Sequence, residues 1–153
     1  HDPLRRQRQM CIRDRFIDSS VFVVKNYSVS KKYKILLPVN DSKGSDMAIE
    51  TAINFAKSYK LNVEIVSIPE GNKTIDEVEK ILQKTKEKFS KNKIKTSTKL
   101  IDGTPVNSIV NYAKDNSIII LGVSPKNPIM KYFFGSKPLS IAQKCNCPVL
   151  ITK

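Results

Sequence analysis

Ile118-Ile119-Ile120-Leu121-Gly122-Val123-Ser124-Pro125 is the stretch on which the fold turns. Four apolar residues running straight into a glycine predict a strand buried on both faces, as the strands of a parallel sheet are. Such a strand ends at the edge where the sheet presents ligands. Beyond it a basic loop runs through Lys131 to Gly135-Ser136, where Lys137-Pro138-Leu139-Ser140-Ile141-Ala142 starts a new helix. A glycine at the strand end lets backbone approach a ligand closely, and the helix start supplies free N–H groups and the positive end of a dipole. Together these features read as an anion cradle. They read equally as a tight loop followed by an ordinary N-cap.

Working outward, the same alternation repeats. Thr104 as N-cap, with Pro105 at the first helical position, starts a helix whose Val106, Ile109, Val110 and Ala113 face inward. Ahead of it, Thr96, Thr98 and Leu100 mark one side of an edge-proximal strand that ends at Asp102-Gly103. Thr74-Ile75-Asp76-Glu77 has the pattern of a capping box. Ile75, Val78, Leu82, Thr85 and Phe89 then step along one helix face, opposite a lysine and glutamate surface that reads as solvated. A further strand is expected within 61–68. Tyr33-Lys34-Ile35-Leu36-Leu37-Pro38-Val39 is a strongly apolar strand closed by Asn40-Asp41-Ser42-Lys43-Gly44. Ser45 is the expected N-cap of the following helix, with Ala48, Ala52, Phe55, Ala56 and Tyr59 as its apolar face. At the other end, Pro148-Val149-Leu150-Ile151-Thr152 is the last strand.

From Tyr33 onward the tally is β-α-β-α-β-α-β-α-β. It predicts an α/β fold: an open five-stranded parallel sheet, Rossmann-like, with right-handed crossovers and helices on both faces. In such a sheet the crevice lies beyond the carboxyl ends of the strands, where the strand order reverses. The first and fourth strands are expected to flank it, which brings Val39-Asn40 opposite Gly122 and Gly135-Ser136.

Composition narrows the chemistry. The chain has 153 residues, enough for one domain with its own core, and 40% of them are hydrophobic. No apolar run approaches the roughly 18 residues that span a bilayer, and Asp18-Ser19-Ser20 interrupts the apolar stretch near the N-terminus, so a cytoplasmic protein without membrane insertion is expected. The single histidine is His1, which leaves no imidazole within the fold to serve a Ser-His-Asp or Cys-His nucleophile. Cys145-Asn146-Cys147 has no second ligand pair and Cys11 stands alone, so no metal site is expected.

The net charge of +13 raises nucleic acid as a partner. Its distribution argues otherwise. Six basic and three acidic residues fall in 1–30, which leaves 21 basic and 11 acidic residues spread thinly beyond it. Neither an aromatic-interleaved basic strand nor an arginine cluster is present, so a lysine-rich solvated surface is preferred to dedicated nucleic-acid binding.

Three segments divide the chain. Residues 1–15, with Met10-Cys11-Ile12-Arg13-Asp14-Arg15, read as a non-native leader of sequencing-adapter type or as a basic tail, and in both cases stand outside the fold. Residues 16–32 form a linker in which Ser20-Val21-Phe22-Val23-Val24-Lys25 reads as a short strand. Residues 33–153 form the domain.

Over 33–153 the chain resembles the universal stress protein family. The likeness is carried by Ile35-Leu36-Leu37-Pro38-Val39 with a following Ser42, by Gly103-Thr104-Pro105 before a helix, by 118–122, by Gly135-Ser136 and by Asn146-Cys147-Pro148-Val149-Leu150-Ile151. The resemblance implies the related adenine nucleotide α-hydrolase-like fold and a non-catalytic stress-response module that binds ATP or a related adenine nucleotide. A nucleotide hydrolase is the enzyme rival; it would need a metal-holding carboxylate near the phosphates, and 118–136 contains none. An interaction module without nucleotide, such as the regulatory domain of a transporter, is the other rival. Residues implied in nucleotide binding are Val39, Asn40, Ser67, Gly122, Ser124, Lys126, Gly135, Ser136 and Lys137.

Two positions depart from the family. ATP-binding members carry G-x-x-G, nine residues, then G-S or G-T; here the spacing is kept, but Pro125 replaces the second glycine. Proline has no N–H for a phosphate and fixes φ, so one donor and one loop geometry are lost, which Lys126, Lys131 and Lys137 are placed to offset. Asn40 stands where the family usually has Asp, keeping an acceptor and adding a donor. The resemblance also implies pairing of two such domains through the last strand, Val149 to Thr152, as a homodimer or as a tandem pseudo-dimer. In the tandem case residues 20–25 are the last strand of a preceding domain.

Overall fold

Residues 20–123 and 136–152 are described in the structure, a computed structural model, with the backbone alone at Val21 and at 136–139. In chain order the elements are β1 (Val21–Val23), β2 (Lys34–Pro38), α1 (Lys43–Tyr59), β3 (Val63–Ser67), α2 (Ile75–Lys91), β4 (Thr96–Leu100), α3 (Pro105–Tyr112), β5 (Ser117–Gly122), α4 (Ser136–Lys144) and β6 (Val149–Thr152). They build one six-stranded sheet in the order β1-β6-β5-β2-β3-β4. The strands from β2 to β6 run parallel, as the alternation of elements requires, and the order reverses between β2 and β5.

Strand alternation divides the core in two. Ile35 and Leu37 of β2, with Ile120 of β5, pack under α1 and α2 against Ala48, Ala52, Ala56, Leu82 and Phe89. Their neighbours Leu36, Ile119 and Leu121 point the other way, to α3 and α4, where they meet Ile109, Ile141, Ala142 and Cys145. Fully burying side chains of this size contributes about 1.5–3 kcal/mol each, so two such layers hold the domain without a cross-link. Cys145 and Cys147 are both buried and free.

The helix starts follow local chemistry. Thr74 and Glu77 form the expected capping box: the Glu77 amide donates to the Thr74 hydroxyl at 3.3 Å, and the Thr74 amide donates to the Glu77 carboxylate at 3.3 Å. Thr104 caps α3 by backbone geometry alone, with Pro105 behind it; its side chain makes no capping bond, and the Ser108 hydroxyl instead ties the loop by donating to the Asp102 carbonyl at 2.9 Å.

Four expectations need correction. The cap of α1 is Ser42, whose hydroxyl accepts from the Ser45 amide at 3.1 Å; Ser45 itself lies inside the first turn and is buried. Tyr59 and Ile75 continue the apolar stripes of their helices on paper, yet are 64% and 57% exposed; the first is the last residue of α1 and the second the first of α2. The sheet has six strands, since β1 joins it antiparallel. Val21, Phe22 and Val23 lie opposite Ile151, Leu150 and Val149, so the β6 edge that the sequence leaves open is covered from within the chain.

β1 is fastened by more than its ladder. The Lys25 ammonium donates to the carbonyls of Ala142 at 2.6 Å and Gln143 at 3.1 Å, in the last turn of α4. Those carbonyls lack intrahelical partners and lie at the negative end of the dipole, which suits a cation. Asn26, in the left-handed region at φ 50°, donates from its side-chain amide to the Asn146 carbonyl at 3.1 Å.

Candidate functional site

The reversal of strand order leaves a cleft beyond the carboxyl ends of β2, β3 and β5, where an open α/β sheet places ligands. Val39, Asn40, Ser42, Ser45, Ser67, Glu70 and Gly122 line it, with Pro105, Ile109 and Ile141 closing the apolar side, around a volume of about 150 Å³. A second hollow of about 330 Å³ shares Asn40, Ser67, Ile68 and Glu70 and extends the cleft toward Lys73.

A hydrogen-bonded turn builds the β2 end. The Val39 amide donates to the Val66 carbonyl at 2.9 Å, continuing the ladder one residue past β2. The Asn40 amide donates to the Ser45 hydroxyl at 3.0 Å, while the Asn40 side-chain oxygen accepts from the Ser42 amide at 2.9 Å. Asn40 thus closes an Asx turn that hands the chain to the α1 cap. Asn40 is exposed, and with its side-chain oxygen used in the turn its NH₂ is the group that could donate to a ligand.

Ser67 is 3% exposed, and its hydroxyl donates to the Val39 carbonyl at 2.8 Å. That bond ties the ends of β3 and β2 together under the cleft floor. Ser67 therefore lines the cleft with its proton already committed. On the far wall, Thr152 donates to the Leu121 carbonyl at 3.1 Å, and the Val123 amide donates to the Thr152 carbonyl at 2.9 Å, so β6 braces the end of β5.

Gly122 lines the cleft, but its missing side chain answers to a different neighbour. A Cβ placed there would fall inside the carbonyl of Gly44, in the first turn of α1. The close approach expected for a ligand is made by α1.

Four of the nine candidate residues, Val39, Asn40, Ser67 and Gly122, thus meet in one cleft. Ser136 and Lys137 open α4, whose backbone alone is described there. Ile141 of the same helix lines the cleft, which puts the first turn about 7.5 Å further along the axis at 1.5 Å per residue. Ser124, Lys126 and Gly135, together with Pro125 and Lys131, lie outside the described residues.

Two lining groups escaped the sequence reading. Glu70 reaches the cleft from the β3–α2 connection, far from 118–136 in sequence, so a carboxylate does stand at this site. Asp41 lies beside it and pairs with Lys73 at 2.5 Å. Among the described residues no group of three or more His, Cys, Asp or Glu side chains is placed to hold a metal ion.

A doubly wound α/β domain with its cleft at the switch point is the class that fold and site define. The profile of the universal stress protein family matches residues 33–153, and the chain belongs to that family. Curated relatives agree: it is 28% identical over 138 residues to a universal stress protein of Methanocaldococcus jannaschii, covering 78% of this chain and 81% of that one. It is 26% identical over 147 residues to the universal stress protein YxiE of Bacillus subtilis, covering 78% and 98%.

Solved structures show the same fold. A universal stress protein from Archaeoglobus fulgidus superposes with a TM-score of 0.70 at 20% identity, covering 89% of this chain and 50% of that one; this chain thus spans half its length. A universal stress protein in complex with cAMP gives a TM-score of 0.66 at 19% identity, covering 81% and 98%. Another from Archaeoglobus fulgidus, in complex with dAMP, gives 0.60 at 18% identity, covering 79% and 98%. Among the described residues no helix is long and apolar enough to cross a membrane.

Proposed function

We propose that the chain is a cytoplasmic, non-catalytic stress-response module that holds ATP or a related adenine nucleotide in the cleft between β2 and β5. One observation carries this reading: Val39, Asn40, Ser67 and Gly122, chosen from three separate places in the sequence, line a single cleft at the point where strand order reverses. Support comes also from two solved structures of similar fold, one in complex with cAMP and one in complex with dAMP. In this reading the side-chain NH₂ of Asn40 and the backbone at Val39 receive the nucleoside. The first turn of α4, with Ser136 and Lys137, receives the phosphates through its N–H groups and dipole. Ser124, Lys126 and Gly135 complete the phosphate side.

Glu70 keeps the hydrolase rival alive as a question of turnover. Calorimetric titration of ATP, AMP and cAMP into protein stripped of co-purified small molecules tests binding, and phosphate release on prolonged incubation tests hydrolysis. Saturable binding of one nucleotide without turnover is the expected result. No heat with any of the three contradicts the reading and favours an interaction module.

We infer further that β1 stands where the last strand of a second domain of the same kind would lie. Its antiparallel pairing with β6 supports this, as does the longer archaeal structure, which covers more of this chain than the shorter ones do. Assembly as a tandem pseudo-dimer or a homodimer then runs through this side of the sheet.

A further inference from the structure

The larger cavity lies at the opposite end of the sheet. About 660 Å³ opens between α1 and the segment that carries β1 into β2, where the parallel strands begin. The size is that of a small-molecule site. It also gathers four of the six large apolar side chains that stand exposed among the described residues: Phe22, Val24, Tyr27 and Tyr59 are 42%, 59%, 57% and 64% exposed, and all four line it. Exposed apolar residues scattered singly are ordinary, whereas a cluster in a concavity marks something to be covered.

Two features select the occupant. The first is charge: Lys31, Lys32 and Lys60 line the cavity with no carboxylate in its wall, and none of the three forms an ion pair among the described residues. Lys60 is held at the rim by the left-handed C-cap of α1, at φ 54°. The second is the way the rings are used. Tyr27 stacks on Tyr33 with centroids 5.4 Å apart, Phe22 meets Phe55 edge-on at 6.1 Å, and Phe55 tilts on Tyr59 at 4.6 Å. Packed against one another in this way, the rings form a continuous hydrocarbon wall along the groove. Leu61, Ile118 and Pro148 continue those walls inward. A lysine rim over a hydrocarbon interior fits an anionic head on an alkyl body.

We propose that this groove binds an amphiphilic anion of the fatty-acid carboxylate class, with the chain along Phe22, Phe55 and Ile118 and the head among the three lysines. The site is independent of the nucleotide cleft, from which the sheet separates it. It makes residues 22–33, which the domain boundary at Tyr33 would exclude, part of a binding site.

Dodecanoate below its micelle concentration, titrated into the full isotope-labelled chain and followed by amide chemical shifts, tests the proposal. Dodecyltrimethylammonium provides the same tail with the opposite charge. Saturable shifts confined to residues 22–33, 55–62 and 118 are expected with the carboxylate, with much weaker response to the cation. Replacing the three exposed lysines together, Lys31→Ala with Lys32→Ala and Lys60→Ala, is expected to weaken binding about tenfold, as for three screened charge contacts. Equal response to both head groups, preference for an oligothymidine over dodecanoate, or sedimentation showing the groove sealed by a second copy that dodecanoate does not displace would each overturn it.

Discussion

Gly122 at the end of β5 sits directly against the carbonyl of Gly44 in the first turn of α1, with no space for a single added carbon. Two residues far apart in sequence thereby fix how closely α1 approaches the sheet, and with it the depth of the cleft. Gly122→Ala is expected to destabilise the fold by about 1–3 kcal/mol, as overpacking of a rigid contact does. The clash is with backbone, which no rotamer relieves. Urea unfolding checks this; a variant with an unchanged midpoint would show that α1 shifts freely.

Ser67 and Val39 make the cleft floor through one hydroxyl-to-carbonyl bond of 2.8 Å. Ser67→Ala leaves that carbonyl short of a partner in a buried place, at a cost of about 1 kcal/mol. Because the hydroxyl proton already serves Val39, nucleotide affinity should change by less than about threefold. A loss of binding far beyond the loss of stability would mean that Ser67 contacts the ligand directly.

Away from the cleft, Glu64 of β3 joins β2 to α3. Lys34 donates to one of its carboxylate oxygens at 2.6 Å and the Tyr112 hydroxyl donates to the other. Burial pushes the Glu64 pKa up, but the hydrogen bonds from Lys34 and Tyr112 and the nearby charges of Lys34 and Lys114 hold it below the ordinary value. A carboxyl whose folded pKa is lowered stabilises the protein above its unfolded pKa and loses that contribution as pH falls through the folded value. For Tyr112 the bond to Glu64, then burial, pushes the phenol up to about 12, so its share is intact below the unfolded value and is lost as pH rises toward 12. Glu64→Gln should flatten the acid limb of stability against pH and cost about 1–2 kcal/mol near neutrality. An unchanged acid limb would remove Glu64 from this role.

Pro125 stands at the second glycine of the nucleotide-binding pattern. Restoring the amide with Pro125→Gly should strengthen ATP binding by roughly tenfold to a hundredfold, the worth of one hydrogen bond to a charged group. Equal affinities in titration calorimetry would show that this donor is not what limits binding.

β1 covers the β6 edge along three residue pairs; Lys25 pins it to the last turn of α4 and Asn26 to the loop that follows. Removing residues 1–30 should expose an apolar edge strand and drive self-association. Sedimentation of the shortened chain beside the full one checks this. If the two show the same mass over a range of concentrations, the edge is not what β1 protects.

Much of this was legible beforehand, for physical reasons. Ile118 to Leu121 reads as a strand buried on both faces because the run is short, mostly β-branched and closed by Gly122, and Thr74 with Glu77 marks a helix start through reciprocal bonds over four residues. Local rules failed where the determining contact is distant. Ser42 and Ser45 are equally good caps in sequence, and what separates them is the Asn40 amide, which draws the Ser45 hydroxyl inward. Gly122 lines the cleft, but the reason it must be glycine, the Gly44 carbonyl, lies in a helix 78 residues earlier and is not visible from its own neighbours. Glu70 came to the cleft wall from a connection that carries no motif. Tyr59 and Ile75 fit the helical period but are terminal residues of their helices, where the stripe goes unburied, and periodicity does not measure where a helix leaves its cover.

The direct test is to titrate AMP into the isotope-labelled chain and follow its backbone amides. The account predicts saturable shifts at Val39, Asn40, Ser67 and Gly122, reaching the first turn of α4. Saturation elsewhere on the surface, or no saturable shift at these four residues, would contradict it.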